Sequence, residues 1–284
     1  MKSPLADVAQ AVAAALAEDL QESGDITTDA IVPIEATITA EIRSRQSGRI
    51  AGTDCIAIAL SKLPGPARVS VLAGDGADIA PGETVASLSG SARTVLTAER
   101  TILNILCRMS GIATATAATV RLVQGTRAVI KDTRKTTPGL RALEKYAVAV
   151  GGGVNHRFGL HDAVLVKDNH IALAGSITTA VERIRTRHGA SASVQVEVET
   201  LDQLEEALRC RVDAVLLDNF ALPQLRAAVG LVDDRCHTEA SGGVTLANVR
   251  EIAETGVEAI SMGWLTHSAT SLDLGLDISA TQEA

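Results

Sequence analysis

Between Thr133 and His161 the chain carries Arg134, Lys135, Arg141, Lys145 and Arg157, with His156 and His161, against a single acid, Glu144. The whole sequence has a net charge of −8, so this stretch is a local reversal of sign. Arginine offers carboxylates and phosphates a planar fork, and lysine offers them a point charge. The fit is to a small anion with several carboxylates or phosphates. Glycines in the same stretch (Gly139, Gly151, Gly152, Gly153 and Gly159) suit backbone that approaches a ligand closely. A flexible linker would show the same triple glycine. Acidic candidates follow in VQVEVE, with Glu197 and Glu199, and in LLDNF, with Asp218.

These side chains need elements to position them. Apolar alternation and turn residues predict strands near Ala128–Thr133, Ala163–Lys167, Ser193–Glu199, Ala214–Asp218, His237–Ser241 and Glu258–Met262. Helical spacing falls between them at Ile177–Arg187, Leu201–Leu208, Leu222–Val229 and Thr245–Glu254. Alternating β and α units predict a parallel sheet covered by helices. With no G-x-G-x-x-G after the first strand, a barrel or partial barrel is favoured. Read toward their C-terminal ends, the strands deliver Asp132-Thr133-Arg134-Lys135, Lys167-Asp168-Asn169-His170, Glu197 and Glu199, Asp218-Asn219, Ser241-Gly242-Gly243 and Ser261-Met262-Gly263. That face is where such barrels build their sites.

Strand parity sets Gln195, Glu197 and Glu199 on one face and Val194, Val196 and Val198 on the other. The valines suit covering helices, and the polar set faces the interior. There Glu197 needs a lysine, a ribose hydroxyl or a metal ion as partner. The alternative is an exposed edge strand with a solvated acidic face. The glycine turns at Ser241-Gly242-Gly243, followed by a helix from Thr245, and at Ser261–Gly263 suit a phosphate.

Residues 1–108 read differently. An apolar run from Ala9 to Ala17 is too short to span a bilayer and has no basic flank, which predicts an amphipathic helix. SGDITTDAIVP reads as a turn-rich loop. Alternating segments (ATITAEIRS, GRIAG, ARVSVLAGDGADI, GETVASLSG) predict an antiparallel sheet, with a helix at Asp54–Leu63. A helical connector at Ser91–Leu122, broken near Ser110-Gly111, carries Glu99, Arg100 and Arg108. The expected division is a small α+β domain at 1–108 and a barrel domain at 109–284, whose C-terminal tail is free to pack back on the first.

Composition narrows the function classes. Aromatics are 1% of the chain, so bases have no stacking platform, and the acidic balance argues against nucleic acid as partner. No segment approaches transmembrane length, so no membrane association is expected. Four widely spaced cysteines (Cys55, Cys107, Cys210 and Cys236) predict reduced thiols in a cytoplasmic setting and no structural zinc.

The run KDTRKTTPGLRALEKYAVAVGGGVNHRFGLHDAVLVKDNHI, Lys131–Ile171, resembles the signature of the quinolinate phosphoribosyltransferases, the carboxylating nicotinate-nucleotide pyrophosphorylases. EDL, GDITT, TAERTILNILCRMSGIAT, VEVETL, LLDNF, SGGV and MGWLTHS extend the resemblance over nearly the whole chain. It implies an N-terminal α/β sandwich domain and a C-terminal open α/β barrel. It also implies magnesium-dependent transfer of phosphoribose from phosphoribosyl pyrophosphate to quinolinate with loss of CO2, in NAD biosynthesis.

By that resemblance Arg134, His156, Arg157 and Lys167 line the quinolinate pocket, and Thr133 is a further substrate-binding residue. Arg100 enters it from the neighbouring subunit of a homodimer. Lys135, Lys167, Glu197 and Asp218 form the catalytic set around ribose and pyrophosphate, with Glu197 and Asp218 as magnesium ligands. Ser241, Gly242, Gly263 and His267 hold the 5′-phosphate. Gln195 departs from the acid the family leads one to expect there, and the EDLQESGDITT loop is slightly longer than the family's compact form.

Three rivals share part of this reading. A molybdenum-transport-associated homologue is disfavoured by the intact TTPGLR and KDNH segments. A non-decarboxylating nicotinate enzyme is disfavoured because Arg100, Arg134 and Arg157 supply more charge than one carboxylate needs. A non-catalytic anion-binding barrel would not require Lys135 together with Glu197 and Asp218.

Overall fold

Val8, Val12 and Leu16 recur at four-residue intervals and are all buried, the inner stripe of helix α1 (Leu5–Leu20). The computed structural model describes residues 3–282. Their contacts group them into two units, one of the described residues up to 117 with 136–152 and those from 264 on, the other of 118–135 and 153–263. A cut by chain position at 108/109 falls inside a helix, and two later segments group with the first unit.

In the first unit α1 is followed by α2 (Ile26–Ile31), where the sequence predicted only a loop. Asp25 makes this turn possible, because its side chain accepts from the Thr28 amide at 3.0 Å and caps the helix. Strands β1 (Thr37–Ser44), β2 (Gly48–Arg49), β3 (Ala67–Val71), β4 (Asp78–Ile79) and β5 (Thr84–Ser91) follow, with helix α3 (Asp54–Ser61) between β2 and β3. β1 buries alternate residues, Ile38, Ala40, Ile42 and Ser44, the period-two signature of one covered face. It pairs antiparallel with β5, and on its other edge with the C-terminal strand, β12 by its place in the chain (Leu274–Gln282). The tail thus packs back on the N-terminal sheet.

The connector is one unbroken 31-residue helix, α4 (Ala92–Leu122). The break expected at Ser110-Gly111 does not occur. Gly111 serves packing instead: a Cβ there would collide with the Thr270 carbonyl and Ser271 Cα. Arg108 on α4 donates to Glu144 at 2.8 Å and to the carbonyls of Ala269 and Thr266, with Glu144 only 1% exposed. This polar staple holds α5 (Arg141–Val150) and the C-terminal segment within the first unit.

The second unit is a six-stranded, wholly parallel sheet. In chain order its strands are β6 (Val129–Lys131), β7 (Val164–Val166), β8 (Val194–Val198), β9 (Ala214–Asp218), β10 (His237–Ser241) and β11 (Ala259–Ser261). The spatial order is β6-β11-β10-β9-β8-β7, an open α/β barrel. Covering helices are α6 (Asp168–Ala174), α7 (Ile177–His188), α8 (Leu201–Arg209), α9 (Leu222–Val232) and the short α10 (Val249–Ala253); α11 (Trp264–His267) belongs to the first unit. β8 lies between β7 and β9, which removes the edge-strand alternative. Val194, Val196 and Val198 are fully buried, each worth about 1.5–3 kcal/mol on burial. Among the described residues no helix is long and apolar enough to cross a membrane.

Candidate active site

Register fixes which side chains share the inner face. Glu197 pairs with Leu216, Leu216 with Glu239, Glu239 with Ala259, and Ala259 with Val129. One layer further toward the C-terminal ends, Asp218 pairs with Ser241, and Ser261 with Lys131. Because paired residues point the same way, Gln195, Glu197, Asp218, Glu239, Ser241, Ser261 and Lys131 all lie on one face. That face opposes the buried valines of β8 and is the barrel interior.

The charges are paired. Lys167 Nζ lies 2.9 Å from Glu197 Oε2, and Glu197 is 13% exposed. Asp218 Oδ2 accepts from Asn219 Nδ2 at 2.7 Å. Glu239 Oε2 accepts from Lys131 Nζ at 2.9 Å and Gln195 Nε2 at 3.1 Å. Burial alone would raise the Glu239 pKa. Lys131, by its charge and its hydrogen bond, and the hydrogen bond from Gln195 outweigh it, and hold the carboxyl below its usual range.

After β6, Thr133 Oγ1 accepts from the Lys135 amide at 3.0 Å and shapes the loop bearing Arg134. Val154 bridges Lys131 in parallel, bringing His156 and Arg157 beside that loop. The fully buried Asp132 accepts from the His156 amide at 2.7 Å. Arg157 donates to the Ala163 carbonyl at 3.1 Å, and its Nε is buried with no hydrogen-bond partner. Burial, and then the like charge of Arg134, push the Arg157 pKa down, only partly offset by Asp162. Two guanidiniums held near each other favour an anion that neutralises both.

Beyond β10, Gly242 has a φ of +90°, and a Cβ there would overlap Asn219, so only glycine suits this turn. The helix expected from Thr245 begins at Val249 and has five residues. Asn248 Oδ1 takes the Thr245 amide at 2.7 Å and the Val249 amide reaches the Thr245 carbonyl at 3.0 Å, so a capped turn leads into it. Any phosphate site here must therefore use the Ser241–Gly243 loop. Gly151, read as ligand-facing, is accounted for by packing: a Cβ would meet Thr116 and the Ala113 carbonyl. Glu199 lies past the end of β8 and is exposed.

Of the predicted residues, Thr133, Arg134, Lys135, His156, Arg157, Lys167, Glu197, Asp218, Ser241, Gly242 and Gly263 belong to the second unit. Arg100, exposed on α4, and His267, exposed at the end of α11, belong to the first, as do Arg141 and Lys145. Sequence reading missed Lys131 and Glu239. Their signal was parity: Glu239 stands two before Ser241, and Lys131 two before Thr133, so each pair shares a face.

Residues 25–110 match the family model described as quinolinate phosphoribosyl transferase, N-terminal domain, and residues 112–277 match its C-terminal counterpart. The chain belongs to the quinolinate phosphoribosyltransferase family. Among members of this family, the nicotinate-nucleotide pyrophosphorylase (carboxylating) of Mycobacterium leprae (strain TN) is 47% identical over 269 residues, covering 93% of this chain and 94% of that protein. The probable enzyme of the same name from Bacillus subtilis (strain 168) is 42% identical, covering 92% and 90%. The solved nicotinate-nucleotide pyrophosphorylase of Francisella tularensis is similar at a TM-score of 0.93 and 37% identity, covering 98% of both chains. The quinolinate phosphoribosyltransferase family supplies a frame for the inner-face charges and the paired arginines.

Proposed function

We propose that this chain transfers the phosphoribosyl group of phosphoribosyl pyrophosphate to quinolinate with decarboxylation, yielding nicotinate mononucleotide, pyrophosphate and CO2. The observation that carries this reading is the charged inner face of the second unit, where Glu197 pairs with Lys167 at 2.9 Å on the same face as Asp218. Arg134 and Arg157 stand on the segments joined by the Lys131–Val154 bridge, cations that suit a pocket for a ring with two adjacent carboxylates. Thr133, His156 and Lys167 complete that pocket. Lys135 meets the pyrophosphate, and Ser241, Gly242 and Gly263 meet the 5′-phosphate, the group to which the resemblance also assigns His267.

In the reaction the bond from anomeric carbon to pyrophosphate breaks as the pyridine nitrogen attacks that carbon, so orientation supplies much of the rate. Positive charge grows on the ribose ring, as in glycoside cleavage, and the Glu197 and Asp218 carboxylates stabilise it. The quaternised nitrogen then stabilises the carbanion left when the adjacent carboxylate departs as CO2, and a proton replaces it on the ring. Lys167, bound to Glu197, links the two pockets electrostatically.

Glu197 and Asp218 are also the residues that would hold magnesium. Among the described residues no cluster of three or more His, Cys, Asp or Glu forms a metal cage. Two carboxylates on adjacent strands nevertheless fit an ion that keeps its waters and is shared with substrate phosphates. Magnesium would neutralise the leaving pyrophosphate. The resemblance extends the site to a homodimer in which Arg100 of one subunit serves the other, and the free cysteines suit a cytoplasmic enzyme.

The test is quinolinate-dependent CO2 release by purified protein with phosphoribosyl pyrophosphate and magnesium. Turnover with nicotinate but not quinolinate would reject the carboxylating reading. Mixing Arg100→Ala chains with Lys167→Ala chains should restore partial activity if the site is shared between subunits; no restoration places each site within one chain.

A further inference from the structure

Glu239 is 3% exposed on the inner face and contributes two oxygens with different surroundings. Oε2 is saturated by Lys131 and Gln195. Oε1 is buried without a hydrogen bond and lies 3.6 Å from His156 Nε2. That is longer than a hydrogen bond but close enough for attraction, and such contacts in ligand-free sites tighten when substrate arrives.

The His156 ring is constrained on its other edge as well. The Arg157 amide donates to His156 Nδ1 at 2.9 Å. A nitrogen that accepts carries no proton, so in the neutral ring the proton sits on Nε2, facing Glu239. The His156 amide is meanwhile fixed by Asp132. Both ring nitrogens are therefore directed at the protein, and the ring links a buried carboxylate to the main chain of Arg157.

We propose that Glu239 is a positioning residue, which draws the Nε2 edge of His156 inward, sets the tilt of that ring and through it holds Arg157 where it meets the pyridine dicarboxylate. The proposal rests on the reading of His156 and Arg157 as quinolinate residues. It also gives Gln195 a reason. An acid at 195 would set a second carboxylate against Glu239, whereas the amide donates to it and leaves the charge available to Lys131 and His156.

The test uses the full chain with Glu239→Gln, which keeps shape and removes charge. Two readouts are taken. Long-range proton–nitrogen correlation spectra report the tautomer of the His156 ring, assigned by its absence in His156→Gln. Calorimetric titration reports affinity for quinolinate and, separately, for phosphoribosyl pyrophosphate. Expected are an Nε2-protonated ring in both proteins, because the Arg157 amide still occupies Nδ1, an Nε2 resonance shifted in the variant, and quinolinate affinity weakened about tenfold with phosphoribosyl pyrophosphate unmoved.

A merely structural role would weaken both ligands together or only lower the melting temperature, and either result overturns the proposal, as does an unmoved Nε2 resonance. Should Glu239→Gln not fold, Glu239→Asp keeps a counterion for Lys131 while withdrawing from His156, and the same two shifts are expected. If the Nε2 resonance responds but neither protein binds quinolinate, the substrate reading fails while the Glu239–His156 contact stands.

Discussion

On β1 the alternate residues Ile38, Ala40 and Ile42 are buried and apolar, while the equivalent alternation on β8 and β10 sets Gln195, Glu197 and Glu239 on the inner face. The first sheet is covered by an apolar cluster running from Val8 to Leu274. The second buries valines outward, beneath helices, and sets paired charges among the apolar residues of its interior. A buried ion pair adds little to stability compared with apolar packing of the same volume. The contrast teaches that the antiparallel unit is held by what it excludes from water, whereas the parallel unit gives up part of its core to arrange charge.

The sharpest way to break that contrast is Ile42→Ala, which should cost about 2–5 kcal/mol by opening a cavity in the first unit. Denaturant unfolding checks it, with turnover per folded molecule unchanged; a loss of turnover without a loss of stability would contradict the division of labour. Next, Glu197→Gln should reduce the turnover number about 10²–10³-fold with quinolinate affinity nearly constant, as steady-state kinetics will report. A normal turnover number would remove Glu197 from the catalytic set.

Arg157→Ala should weaken quinolinate binding by about 10- to 100-fold, since it removes charge-assisted hydrogen bonds, while leaving the midpoint of unfolding nearly unmoved. Equal affinity in calorimetry would mean the arginine pair serves another end. The smallest effect is expected at Asp25→Ala, about 1 kcal/mol from the lost helix cap. Hydrogen bonds from Thr28 hold the Asp25 carboxyl below its usual range, so its stabilising effect is full above that range and vanishes as pH falls through the folded value. The gap between parent and variant should therefore close on acidification below about pH 4; a gap constant from pH 7 to pH 3 would show that the cap acts without its charge.

Much of this was legible before any coordinates. Ala214–Asp218 and His237–Ser241 were delimited to the residue, because bounded apolar runs with polar C-terminal ends leave few alternatives. The parity of VQVEVE placed its valines correctly. Legibility failed where a distant or capping contact overrides local preference. Gly111 reads as a helix break until the Thr270 backbone is seen beside it, and Asp25 turns an apparent loop into α2. The segment from Thr245 enters as a capped turn, and the regular helix begins at Val249.

The order and type of the elements, the polar ends of the barrel strands and the basic stretch from Arg134 to Arg157 follow from the sequence alone, because periodicity and charge are local properties. Which charges meet was decided only by tertiary structure. Lys131 and Glu239 are 108 residues apart and become partners through the register of β6, β11 and β10. Register is a property of the assembled sheet, and no local pattern encodes it.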